Sequence, residues 1–303
     1  MSIEAKIVAD SISEAGKRIT TMQLCYPRFI HAEFMTHRVF SRNASSSRAI
    51  PVAKMIEQVR TNPAIPIHWG KNQAGMQAKE ECHEPIDLMV PQYWTDMNPG
   101  LWEFSAGEAW EVAARHASEI AEAMATAGYH KQIVNRILEP FQWIHVIVTA
   151  TEWDNFFELR AHEDAQPEIH ELAIQMRKAM EDSTPTLLRV GEWHLPYVTK
   201  EDVAACRDSV ELLRKVSAAR CCRVSYLKHD GTPASIEEEL LLCDRLVGAR
   251  PLHASPFEHQ ATPDNLIQTR FGITAEFEFE NLHLYGNFIG WIQNRKLIES
   301  QFH

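Results

Sequence analysis

The 303 residues contain no apolar run near the roughly 20 residues needed to cross a bilayer, which argues against a membrane-spanning helix. They contain no basic excess either. Thirty lysines and arginines stand against 41 aspartates and glutamates, a net charge of −11. A general nucleic-acid binder needs a broad basic surface, so that class is excluded. A small cationic pocket is not, because a local field can oppose the sign of the whole. Cysteines are few. Cys25, Cys82, Cys206, Cys221, Cys222 and Cys243 form no CxxC pair and no disulfide framework, which in a chain this long reads as reduced thiols. Cys82–His83 and Cys221–Cys222 lack a second pair at zinc-site spacing, so no metal is expected. The opening MSIEAKIVADSISEAGKR is polar and mixes acids with bases, unlike a secretory signal, and a cytoplasmic protein is expected.

The length suits one large domain or two small ones with a real core. Residues 19–35 mix β-branched and aromatic residues around Pro27 and read as a strand, a break and the start of a helix. Serines before Pro51 and the repeat Val52, Met55, Ile56, Val59 predict a helix from about residue 51. Residues 62–101, rich in Pro, Gly, Asn and Trp, read as a long irregular stretch that Trp69 and Met76 mark as ordered and functional. Residues 102–127 have the propensity and periodicity of a strong helix. The stretch 130–180 reads as two or three further helices, broken near Pro140 and around Thr149–Thr151, and 184–197 as a connector. Then follow a helix near 201–218, a short strand at 219–227, a helix at 235–247, a loop at 250–265, a strand at 274–284 and a short helix over 286–299. The class is α+β and helix-rich, with a division near 190–200 into parts 1–198 and 199–303 of one compact domain.

Three constellations carry chemistry. FMTHRVFSRNASSSRAI (34–50) gathers three arginines, a histidine and hydroxyls ahead of a helix start. Backbone N–H groups, serines and an arginine are what a phosphate needs, and Ser46, Ser47 and Arg48 are so placed; a helix-capping turn with a solvated arginine is the plainer alternative. NFFELRAHEDAQPEI (155–169) puts Asn155, Leu159 and His162 on one helical face, with Arg160 about 100° from Leu159, and ends with Gln166 and Glu168 around a proline. ARPLHASPFEH (249–259), preceded by AARCCRVSY, presents His253, Ser255, Glu258 and His259 on a rigid loop.

Together these resemble the flavin-dependent thymidylate synthases, the ThyX family. HRVFSRNASSSR resembles that family's RHR…S.NE.S.R signature, NRILEP its AR.vLP, LRAHEDAQPEI its lR…AQ.EI, and RVSY…LHASPFEH its R.Sy…GH.spfEH. The order differs: the last block comes first in the family, so the chain resembles a circularly permuted relative. YPRFIHAEFMTHR (26–38) and YGNFIGWIQNR (285–295) both begin Tyr-x-x-Phe-Ile and end in Arg, as a strand and turn duplicated by permutation would.

The resemblance implies a ThyX-like fold with a mostly antiparallel sheet and one-carbon transfer from methylene-tetrahydrofolate to C5 of dUMP. FAD is the implied cofactor, NADPH a co-substrate, and a homo-oligomer, a tetramer, the implied assembly. No cysteine nucleophile is implied, in keeping with motifs free of cysteine. By position, Arg160 matches the arginine that stabilises charge on the pyrimidine. Ser46, Ser47, Arg48 and Arg136 match the dUMP phosphate clamp, and Glu33 stands where the family has Gln. His37, Arg38, Asn155, His253, Ser255 and Glu258 match flavin contacts. Four positions depart: Thr36 for the first arginine of RHR, Ala44 for the glutamate of NE, Asp164 for a histidine, and Glu33. Glu33 is expected to pair with Arg48 or Arg136 or to read an amino group. These changes leave two alternatives: a dUMP or dCMP hydroxymethyltransferase, and a non-catalytic nucleotide-binding protein. The 62–80 insertion is expected to cover an altered pocket.

Overall fold

The computed structural model describes residues 1–75, 77–91, 98–224, 234–249, 252–271 and 274–300. The strands are β1 (Glu4–Ser13), β2 (Arg18–Pro27), β3 (Ser41–Ala44), β4 (Ile86–Val90), β5 (Gly100–Phe104), β6 (Trp143–Ala150), β7 (Thr186–Leu188), β8 (Ala261–Pro263), β9 (Leu266–Phe271), β10 (Thr274–Phe279) and β11 (Trp291–Gln293). The helices are α1 (His31–Phe34), α2 (Val52–Thr61), α3 (Ala106–Thr126), α4 (Lys131–Ile137), α5 (Asp154–Arg160), α6 (Pro167–Glu181), α7 (Lys200–Ala205), α8 (Val210–Cys222), α9 (Ile236–Gly248) and α10 (Asn294–Glu299). The class is α+β. Among the described residues no helix is long and apolar enough to cross a membrane, and no group of three or more His, Cys, Asp or Glu could hold a metal ion.

The central sheet runs β3–β6–β2–β1–β7 and is antiparallel except for the β1–β7 pair. One face buries Met22, Leu24 and Tyr26 of β2 with Ile144, Val146, Val148 and Ala150 of β6 against Phe156 of α5 and Ile169, Leu172, Ala173 and Met176 of α6. The 3–4 spacing on α6 is the amphipathic stripe that such a face needs. Ile147, on the opposite face of β6, packs with Cys221 and Val224. A second core joins α2, α3 and α4 through Met55, Val59, Ala114, Ala121 and Val134. Ser105 caps α3 in a capping box with Glu108.

On the sheet face away from α6 runs a buried polar chain. Ser11 Oγ bonds Nδ1 of His194 (2.9 Å), whose Nε2 bonds Thr21 Oγ1 (2.8 Å). Thr21 bonds Thr149 (2.7 Å), and Thr149 bonds Nδ1 of His259 (2.9 Å). Both histidines are fully buried, and burial pushes each down to about 3.

Several sequence expectations need correction. Residues 143–150 are the strand β6, where a helix is expected: a strand covered on both faces reads as a continuous apolar run and loses its period of two. The opening residues form β1, and the strand expected at 219–227 is, as far as Cys222, the end of α8. β4 and β5 pair antiparallel, which puts strand into the expected irregular stretch 62–101 and into the first residues of the expected 102–127 helix, which starts at Ala106. The expected 250–265 loop holds a 3₁₀ turn at Ser255–Glu258 and β8, and the 274–284 strand stops at Phe279. The last helix starts at Asn294, because Trp291–Gln293 pair with β8. The two Tyr-x-x-Phe-Ile stretches differ locally. Tyr26 lies in β2 with Phe29 and Ile30 in the 3₁₀ turn after it, whereas Tyr285 follows a 3₁₀ turn and Phe288 precedes β11. Met76, Ser225, Tyr226 and the other residues of the expected strand beyond Val224, and Arg250–Pro251 of the ARPLHASPFEH loop, lie outside the described residues.

Candidate active site

Arg160 closes α5 and points at the signature turn. Its Nε–H donates to Nε2 of His37 (3.0 Å), its Nη2 to Thr36 Oγ1 (3.4 Å), and its Nη1 stands 3.5 Å from Glu33 Oε2. A guanidinium only donates, so His37 accepts and is neutral. Burial first, then Arg160 and Arg42, lower His37 to about 4. The His37 ring meets Phe156 edge-on at 4.9 Å. Arg42 fixes the turn by donating to the carbonyls of Phe34 (3.3 Å), Met35 (3.1 Å) and His37 (2.9 Å). Those carbonyls end or follow α1, where a cation is favoured.

The turn and α5 border a cavity of about 760 Å³ lined by His37, Arg38, Trp153, Asn155, Phe157 and Arg160, among others. The indole N–H of Trp153 is buried and has no hydrogen-bond partner among the described residues. Arg18 stands at the same cavity, held by Asp10 at 2.9 and 2.7 Å.

A second cavity, of about 220 Å³, is lined by Arg28, His31, Ser45, Ser46, Ser47, Arg48 and Arg136, among others. It shares no lining residue with the first. The serine loop between β3 and α2 is held from α4: buried Asn135 donates to the carbonyls of Ser47 (2.6 Å) and Ile50 (3.0 Å). Arg136 follows Asn135 on α4 and lines the cavity for that reason. Arg48 is exposed and makes no ion pair among the described residues.

The C-terminal block docks on the signature. Gln293 Nε2 donates to Ser41 Oγ of β3 (3.2 Å) and to the carbonyl of Glu258 (3.1 Å). Glu258 pairs with Arg295 of α10. His253 and Ser255 are exposed, and none of His253, Ser255 and Glu258 lines either cavity. Arg223 of RVSY pairs with buried Glu239 at 3.3 Å.

The structure thus gathers His37, Arg38, Asn155 and Arg160 at one cavity, and Ser46, Ser47, Arg48 and Arg136 at another. Glu33 corrects an expectation: it pairs with Arg160, and not with Arg48 or Arg136, because α1 carries it toward the end of α5. The 62–80 insertion corrects another. Ile67 N–H donates to buried Glu168 (2.9 Å) and Lys79 pairs with Asp164 (3.8 Å), so it contacts the HEDAQPEI segment, and no described residue of it lines either cavity. Gly70 has no room for a side chain there, since a Cβ would stand 2.4 Å from that of Ala78. Arg28, His31, Arg42 and Glu139 were not singled out from sequence. Arg28 and His31 lie in PRFIH, ahead of the signature, and Glu139 lies inside NRILEP.

Residues 18–186 match the family described as thymidylate synthase complementing protein. Among solved structures, the chain is similar to a UMP/dUMP methylase, PolB, from Streptomyces cacaoi bound with 5-Br UMP, at 16% identity and a TM-score of 0.40, over 59% of this chain and 89% of that one. The same methylase bound with 5-Br dUMP gives 17% identity and a TM-score of 0.40, over 59% and 90%. No curated protein matches the chain.

Proposed function

This chain belongs to the thymidylate synthase complementing protein family, and from that premise we propose that it is a ThyX-type enzyme transferring a one-carbon unit to C5 of a pyrimidine deoxynucleotide monophosphate, dUMP in the first place. The observation that carries the reading is Arg160, fixed by neutral His37, lining the large cavity. In this reading Arg160 holds a permanent positive charge against the pyrimidine as negative charge spreads over the ring. Ser46, Ser47, Arg48 and Arg136 hold the nucleotide's phosphate by charge-assisted hydrogen bonds. None of the six cysteines lines either cavity, so the reading needs no thiol nucleophile.

The large cavity suits a flavin. Its lining includes the aromatic residues Trp153, Phe156 and Phe157 and the cations Arg38 and Arg160. Bound there, FAD would supply hydride chemistry drawn from NADPH, with methylene-tetrahydrofolate as the carbon donor. Arg38 and Asn155 would hold it, and His37 would meet it as a neutral ring. His253, Ser255 and Glu258 are away from this cavity in one chain, and Arg160 and the clamp line separate cavities. Both facts support a site completed by a second copy of the chain, in a homo-oligomer such as a tetramer. The docking of the C-terminal block on β3 supports a permuted motif order that keeps its place beside the signature, within one compact domain in a cytoplasmic enzyme.

A second reading rests on Glu33. Its carboxylate beside Arg160 is an acceptor suited to the exocyclic amino group of cytosine, which favours dCMP and hydroxymethyl transfer. The test is a mass spectrum of dUMP and of dCMP after separate incubation with methylene-tetrahydrofolate, FAD and NADPH. Methylated dUMP establishes the first reading. A hydroxymethylated product, or any product from dCMP, establishes the second. No product from either nucleotide overturns both and leaves a non-catalytic binding protein.

A further inference from the structure

Glu139 holds three lining residues of the small cavity without lining it itself. Its Oε1 pairs with Arg28 at 2.9 Å, accepts from Arg136 Nη1 at 3.0 Å and from Ser47 Oγ at 3.3 Å. Arg28, Ser47 and Arg136 are donors that an anion in the cavity would need. The Ser47 hydroxyl carries one hydrogen, and in this structure it goes to Glu139. The carboxylate also cancels one positive charge among Arg28, Arg48 and Arg136, in a setting where Ser47 is buried and Arg28 mostly so. Partial burial makes that cancellation stronger than it would be at an open surface.

We propose that Glu139 is an internal competitor for the phosphate group: a ligand's phosphate binds by taking Ser47, Arg28 and Arg136 from this carboxylate. The inference rests on the reading of the small cavity as a phosphate clamp, and it adds a residue that lowers the clamp's affinity. A competitor of this kind makes the clamp demanding. A ligand must bring enough charge and enough acceptor oxygens to repay two arginine pairs, as a phosphate monoester does. Arg48 lines the same cavity, is exposed and has no ion pair among the described residues, so it can meet the ligand without leaving a carboxylate there.

The experiment compares the full-length wild-type protein with Glu139→Gln and Glu139→Leu. Each is titrated calorimetrically with sodium sulfate at constant ionic strength, and separately with dUMP. Sulfate carries no base and does not titrate near neutral pH, so it reports the clamp alone. The expected result is sulfate binding about tenfold tighter in both variants, with dUMP gaining by a similar factor. Unchanged or weaker sulfate binding in both overturns the proposal and makes Glu139 a residue that merely orients the arginines. Thermal melts identify a variant that has lost its fold, and the other then decides. Tighter sulfate with no dUMP binding to any of the three proteins upholds the competitor and overturns the nucleotide reading.

Discussion

Arg160 donates its Nε–H to Nε2 of His37 at 3.0 Å, joining residues 123 positions apart in the chain. The bond does two things. It fixes the guanidinium at the cavity, with Thr36 and Glu33 as its other partners, and it keeps the imidazole in one neutral tautomer. Thr36 and Glu33 are two of the four positions that depart from the family pattern. Two of the four departures therefore fall on partners of Arg160.

Arg160→Ala is expected to lower turnover by roughly 10²–10³, the loss seen when one preorganised donor is removed from a developing charge. The side chain is partly exposed, so the fold should persist. Steady-state kinetics with circular dichroism check this. Near-normal turnover in a folded variant would rule out charge stabilisation by Arg160.

Arg48→Ala is expected to weaken dUMP binding by about 1.5–3 kcal/mol, the scale of hydrogen bonds to charged groups. Arg48 is exposed and outside the ion-pair network around Glu139, so stability should change little. Calorimetric titration of wild type and variant with dUMP measures it. Equal affinities would place the phosphate elsewhere.

Acid should destabilise the protein through His194 and His259. Burial is the main cause of both depressions, to about 3. The unfolded chain takes up protons near 6.5 and the folded chain does not, so stability is complete above about pH 6.5 and falls as the pH drops toward 3. Each histidine costs about 1.4 kcal/mol per pH unit in that window, so the pair costs up to about 4 kcal/mol by pH 5. His31 and His37, lowered to about 4, act in the same direction. Chemical denaturation at pH 7 and pH 5 tests it, and equal stabilities would show that these rings are already charged or already wet.

Local chemistry was legible where it was local. The helix after Pro51 follows from its 3–4 repeat and the helix ending at Thr126 from propensity and periodicity; both form, as does a helix from Ile236, close to the expected 235. The serine–arginine loop is marked by residue type and Arg136 by the family resemblance of NRILEP, and one cavity collects them. β6 was not legible, because its period is erased when α6 covers one face and α8 the other. Arg28 and Glu139 were not legible either, since nothing in PRFIH or NRILEP says that the two side chains meet across more than a hundred residues.

The sequence alone determined the family, the motif order, the acidic balance and the residue types available to a phosphate and a pyrimidine, because these depend on identity and spacing along the chain. Tertiary structure alone decided that Glu33 stands 3.5 Å from Arg160, that Glu139 pairs with Arg28, and that Ile67 of the insertion bonds Glu168. The reason is physical. Charge pairing acts over a few ångströms in space, and only the packing of α1, α4 and α5 around the sheet brings those carboxylates within reach of their arginines.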